Sequence, residues 1–236
     1  MAVQDVLSAI HSRLKSLEKT RILAFGSSNT ERRSPGMHWL DVLDLAIKRR
    51  YGRIHHCINT GIGGNTSRDL LARFEDDAAF YRPHVAIVTI GGNDSNPAKS
   101  LGEEEFVGNL RELRNRFHHM GCAVVFQTYY APDPARNEDL SGFYAYMDIV
   151  RNIAAESAAG LVDHLRRWEL FRKAFPDRYL PLMEDGFHLN CRGNMILGLD
   201  LSRSLGVEFD LPEPEFWSES LEMQRLMDSL DQGGKA

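Results

Sequence analysis

The chain predicts a three-layer α/β/α sandwich built on a doubly wound, mainly parallel five-stranded sheet. Short apolar runs alternate with amphipathic helical stretches, which is the order of a parallel sheet covered on both faces. Each run ends at glycine or small polar residues, and right-handed crossovers carry all of these strand tips to one rim. Ligands in such folds sit beyond the carboxyl ends of the strands, near the point where strand order reverses.

Val6, Leu7, Ile10, Leu14 and Leu17 recur at helical spacing, so residues 3–19 read as an amphipathic helix packed on the domain. Strand one, residues 21–26, ends at Gly26-Ser27-Ser28-Asn29-Thr30. Ser34 and Pro35 give a helix start, Trp39, Leu40, Leu43, Ala46 and Ile47 its apolar face, and Gly52 its stop. Strand two, Ile54 to Thr60, runs into Gly61-Ile62-Gly63-Gly64-Asn65, and Thr66 caps a helix carrying Leu70, Leu71 and Phe74.

After Pro83, His84 to Ile90 is a buried strand ending in Gly91-Gly92-Asn93-Asp94. Phe106, Leu110, Leu113, Phe117 and Met120 define the strongest helix, with acids Glu103 to Glu105 complementing its dipole and Gly121 stopping it. Strand four is Ala123 to Thr128. A helix over about 141–159 follows, ending at Gly160, and then a short strand, Leu161 to Asp163. Trp168, Leu170 and Phe171 mark another helix. Asn190 caps a last core helix with Met195, Ile196, Leu199 and Leu201. Without a repeat or linker, residues 1–206 read as one domain, and 207–236 as an acidic tail with a weak helix from Leu221 to Leu230.

A chain of 236 residues, 43% hydrophobic, buries a full core without metals or disulfides. A net charge of -5 gives no global electrostatic reason to bind nucleic acid or anionic membrane. Cys57, Cys122 and Cys191 form no Cys-x-x-Cys pair, so no metal and no cofactor is expected, and Cys57 and Cys122 read as reduced core residues. With no signal-peptide pattern and no membrane-length apolar run, a soluble cytoplasmic protein is the expectation, with a homo-oligomer left open.

Four groups converge on the predicted rim: a hydroxyl, a glycine-rich turn, a side-chain amide, and an Asp with a His three residues later. Acyl transfer through serine needs these types of group. The hydroxyl is a poor nucleophile until a base takes its proton, and the base is oriented by a carboxylate. The tetrahedral intermediate needs preorganised donors for its oxyanion.

In these four blocks the chain resembles the SGNH hydrolases, the GDSL lipase/esterase family, from about residue 22 to 200. The resemblance implies a flavodoxin-like sheet and the following roles. Ser28 is the nucleophile, His188 the base and Asp185 its orienter, while the Ser28 and Gly64 N–H groups and the Asn93 amide hold the oxyanion. One block departs from the family pattern, because Ser27 stands where Asp is usual. That leaves Ser27 as a rival nucleophile; separately, Gly61 and Gly63 are close alternatives for the backbone donor, and Asp163, at a strand end, is a competing carboxylate.

The histidine pairs read as structural. His55 and His56 point to opposite faces of a strand, and His118 and His119 lie in a last helical turn. The Gly61–Gly64 turn lacks the lysine of a P-loop and the dinucleotide glycine spacing. No long apolar loop suggests a lipase lid. The expected substrate is therefore a small-molecule ester of a short acyl group, such as acetate on carbohydrate, with Trp39, Tyr129, Tyr130 and Phe187 available for sugar stacking. A non-catalytic acyl-sugar or lipid binder and an acyltransferase are the alternatives.

Overall fold

The structure, a computed structural model, describes residues 3–136, 140, 142–156, 159–208 and 213–232. Five parallel strands form one sheet: β1 Thr20–Gly26, β2 His55–Asn59, β3 Val85–Thr89, β4 Ala123–Gln127 and β5 Gly160–Val162. Their order is β2-β1-β3-β4-β5, so strand order reverses between β1 and β3, with Gly26 level with Thr89. Every residue of β3 is buried, as a central strand with helices on both faces requires.

On one face lie α1 (Val3–Lys15), α2 (Trp39–Tyr51) and, packed on α2, a long helix over Cys191–Ser204. On the other lie α3 (Ser67–Ala72), α4 (Glu103–His119) and α5 (Phe143–Glu156). α6 (His164–Ala174) precedes the Cys191–Ser204 helix, now α7, and α8 (Pro214–Asp231) follows it. α1 packs directly on β5, because Gly160 of β5 comes so close to Leu7 that a Cβ there would collide with its side chain. No helix among the described residues is long and apolar enough to cross a membrane.

The strand ends differ from the sequence reading by at most one residue, and several helix boundaries by more. α1 ends at Lys15, short of residue 19. α2 starts at Trp39, four residues after Pro35. Gly36 takes φ +96, which no α-helix accommodates, and His38 forms the N-terminal cap in reciprocal bonds with the backbone of Leu40 and the carboxylate of Asp41. Gly160 is the first residue of β5 rather than a helix stop, and Ser141, Ser157 and Ala158 of the expected 141–159 helix lie outside the described residues.

The C-terminal helix is the largest difference. It spans 18 residues with Pro214 in its first turn, and buries Trp217, Met223 and Met227 against α6 and α7. Arg167 of α6 ties it down through Gln224, Asp228 and Asp231.

Candidate active site

Gly26 ends β1 where only a glycine fits, since a Cβ would lie 2.4 Å from the Thr89 carbonyl oxygen. The chain then turns at once, with the Thr30 and Glu31 N–H groups both donating to the Ser27 carbonyl at 2.9 Å. This turn sends the two neighbouring serines apart. Ser27 is buried, its Oγ 3.1 Å from the Tyr129 hydroxyl, whereas Ser28 is half-buried and faces the rim. Burial pushes the Tyr129 hydroxyl up to about 12, so it stays a neutral partner for Ser27.

Ser28 Oγ lies 2.8 Å from His188 Nε2, and His188 Nδ1 lies 2.7 Å from Asp185 Oδ2. The other oxygen of Asp185 accepts the N–H groups of Phe187 and His188, each at 2.7 Å. That loop therefore closes on its own carboxylate. Burial opposes ionisation of Asp185, but the Phe187 N–H, the His188 ring and the His188 N–H together hold it below the usual carboxylate range. Asp185 is thus charged at neutral pH and fixes which ring nitrogen of His188 faces Ser28.

The Tyr130 hydroxyl joins the two halves of this chain. It lies 2.5 Å from Asn29 Oδ1 and 2.7 Å from the Phe187 carbonyl, and accepts the Leu189 N–H at 3.0 Å. The Trp39 indole N–H donates to the Asn29 carbonyl at 2.9 Å, clamping the residue after Ser28 from the opposite side.

The glycine turn is held by backbone contact. Gly61 packs so tightly on Thr30–Glu31 that a Cβ would sit 2.2 Å from the Glu31 nitrogen, and its N–H already donates to Asn59 Oδ1 at 2.9 Å. Gly61 therefore offers no free donor. Gly64 has φ +78 and faces open space. Among the described residues, no hydrogen bond within the chain engages the N–H of Ser28 or Gly64. The Asn93 amide donates one N–H to the Asn65 carbonyl at 2.8 Å, which fixes its plane and leaves its second N–H available. Asp94 anchors the same loop by accepting the Ser67 N–H at 2.7 Å.

Of the remaining rivals, Gly63 keeps an N–H with no partner among the described residues and stays an alternative donor beside Gly64, whereas Asp163 is engaged elsewhere. Asp163 is held by Arg151 at 2.8 and 2.9 Å and by Thr128 at 3.1 Å. Trp39, Tyr129 and Tyr130 are core residues with at most 3% exposure, so they present no face for stacking; Phe187 alone of the four is half-buried. The cleft beside Ser28 and His188 is small, about 20 Å³, and its walls are mixed, with Glu31, Arg33, Ser34 and Glu184 beside Pro35, Met37 and Leu189.

Two contributors were not legible in the sequence. Tyr130 looked like one aromatic among several, and its three bonds span residues 29 to 189. Arg73 sits over the Phe25 ring and donates to the carbonyls of Gly26 and Thr60 and to Asn65 Oδ1, linking the Ser27–Ser28 turn to the glycine turn. Neither residue belongs to a motif.

The pattern of the GDSL-like lipase/acylhydrolase family matches residues 24–196, most of the chain. An acetylxylan esterase from Geobacillus stearothermophilus is 27% identical over 162 residues, which span 64% of this chain and 73% of that protein. The crystal structure of the acetylxylan esterase Axe2 from the same organism superposes with a TM-score of 0.69 at 25% identity, covering 81% of this chain and 96% of that one. The acetyl xylan esterase AlAXEase gives a TM-score of 0.68 at 21% identity, covering 78% and 98%. The chain belongs to the GDSL-like lipase/acylhydrolase family, and it is a carboxylic ester hydrolase of the SGNH type.

Proposed function

We propose, taking that membership as the premise, that this hydrolase removes short acyl groups, acetyl above all, from hydroxyls of a carbohydrate through an acyl-serine intermediate. The observation that carries the reading is the unbroken chain of hydrogen bonds from Ser28 through His188 to Asp185. Ser28 Oγ attacks the acyl carbon as His188 Nε2 takes its proton, and Asp185 stabilises the imidazolium that results. The Ser28 and Gly64 N–H groups and the Asn93 amide hold the negative oxygen of the tetrahedral intermediate. On collapse His188 gives its proton to the leaving alkoxide, so the alcohol departs and the acyl group stays on Ser28. Water then attacks, its proton going to His188 and on to Ser28 as the acid leaves.

Two further observations support the reading, the first on the substrate and the second on the catalytic pair. The cleft lining mixes apolar Pro35, Met37 and Leu189 with Glu31, Arg33, Ser34 and Glu184, polar groups that can bond the hydroxyls of a carbohydrate leaving group. In the related Geobacillus stearothermophilus acetylxylan esterase, the catalytic aspartate and histidine stand three residues apart, as Asp185 and His188 do. A panel of chromogenic esters of increasing chain length, followed by acetylated xylo-oligosaccharides, tests the reading. Expected is kcat/KM falling steeply beyond short acyl chains and release of acetate from the oligosaccharides. A preference for long acyl chains, or no acetate released, overturns it.

A further inference from the structure

We propose that Asp44, His55 and Cys57 form a binding site for one divalent transition-metal ion of the zinc class, on the edge of the sheet and apart from Ser28. Strand alternation sends His55 and Cys57, two residues apart on β2, to the same face. α2 lies across that face and brings Asp44 down onto it, with Asp44 Oδ1 3.0 Å from His55 Nε2. One ligand atom from each of the three residues lies within 4.8 Å of the other two.

Bond lengths of about 2.0 Å to nitrogen and oxygen and 2.3 Å to sulfur put these ligand atoms roughly 3.3–3.5 Å apart around a tetrahedral ion. Small side-chain rotations close that gap. The His55 side chain is only 3% exposed, yet its Nδ1 has no hydrogen-bond partner among the described residues. Asp44 is 46% exposed, so an ion can enter from solvent and keep a water as its fourth ligand.

The donor set selects the ion. Thiolate with imidazole favours zinc and its neighbours over magnesium or calcium, which take oxygen. Binding forms the sulfur–metal bond as the Cys57 S–H bond breaks and its proton passes to solvent. Thiolate and carboxylate then balance the two positive charges around a neutral imidazole. The site would pin edge strand β2, which pairs only with β1 among the described residues, to α2. Cys57 is level with Ile22, four residues before the end of β1, or about 13 Å along the strand from the active-site rim.

The test is a cobalt(II) titration of the full, tag-free chain after chelator treatment. Expected is one equivalent bound with tetrahedral visible bands and a thiolate-to-cobalt charge-transfer band, one proton released per ion, and displacement by zinc. Cys57→Ala abolishes the charge-transfer band. Asp44→Asn, at a partly exposed position that leaves the fold intact, weakens binding at least about 10-fold. Zinc raises the melting temperature of the wild type but not of Cys57→Ala. Absence of stoichiometric binding, or a charge-transfer band that survives Cys57→Ala, overturns the proposal.

Discussion

Removing one oxygen at Tyr130 separates the alignment of the active site from its mere presence. In Tyr130→Phe the ring still fills its place in the core, but Asn29 Oδ1, the Phe187 carbonyl and the Leu189 N–H lose their shared partner. Leu189 is buried, so its N–H is left without water to replace the bond. An orphaned buried donor costs about 1–3 kcal/mol. For a chain of this size that lowers the melting temperature by roughly 2–4 °C per kcal/mol, or about 4–8 °C at the middle of the range. The same hydroxyl sets the spacing between the residue after Ser28 and the residues flanking His188. A misplacement on the order of 1 Å costs up to about 10² in rate, so kcat should fall roughly 10- to 100-fold with KM nearly unchanged. Differential scanning calorimetry and steady-state hydrolysis of a small chromogenic acetate read the two effects separately. A variant that loses the expected stability and keeps its full kcat refutes the positioning role.

Asn93→Ala should lower kcat by about 10² to 10³ through loss of one oxyanion donor, while circular dichroism and KM stay near wild type. Ser27→Ala should cost about 0.5–1.5 kcal/mol for its bond to Tyr129 and keep kcat within a few-fold, measured by urea unfolding and acetate hydrolysis; abolished turnover would make Ser27 the nucleophile. Asp185 has a depressed pKa in the fold, so its stabilising contribution is fully present above the ordinary carboxylate pKa of about 3.9 and is lost as pH falls through the folded value. Urea midpoints measured from neutral pH into the acid range should therefore fall less steeply on the acid side for Asp185→Asn than for wild type, while its kcat drops on the order of 10⁴.

The sheet was legible because its strands are short apolar runs punctuated by glycine, and the rim followed from parallel topology alone. Ser28, Asn93, Asp185 and His188 were legible because each sits in a compact block at a strand end or helix start. What sequence did not disclose depends on contacts between distant segments. The split between Ser27 and Ser28 is decided by Tyr129, more than a hundred residues away. The start of α2 depends on Gly36 packing against Cys191, where a Cβ would come within 2.8 Å. The C-terminal helix looked weak because its apolar stripe is thin. Much of its anchoring comes from Arg167 and Arg203, which bridge to Asp228 from α6 and α7. The Asp44–His55–Cys57 cluster was hidden for a related reason: strand alternation made His55 and His56 a non-site, and only α2 supplies the third ligand.

The central claim is that Ser28 carries the acyl group. Incubation with a serine-reactive fluorophosphonate, then peptide mapping by mass spectrometry, tests it most directly. The account predicts one label per chain, on Ser28, with esterase activity lost in proportion to labelling, and no label on folded Ser28→Ala, whose turnover falls on the order of 10⁶. Label on Ser27, or an unlabelled wild type that still hydrolyses acetate esters, would contradict it.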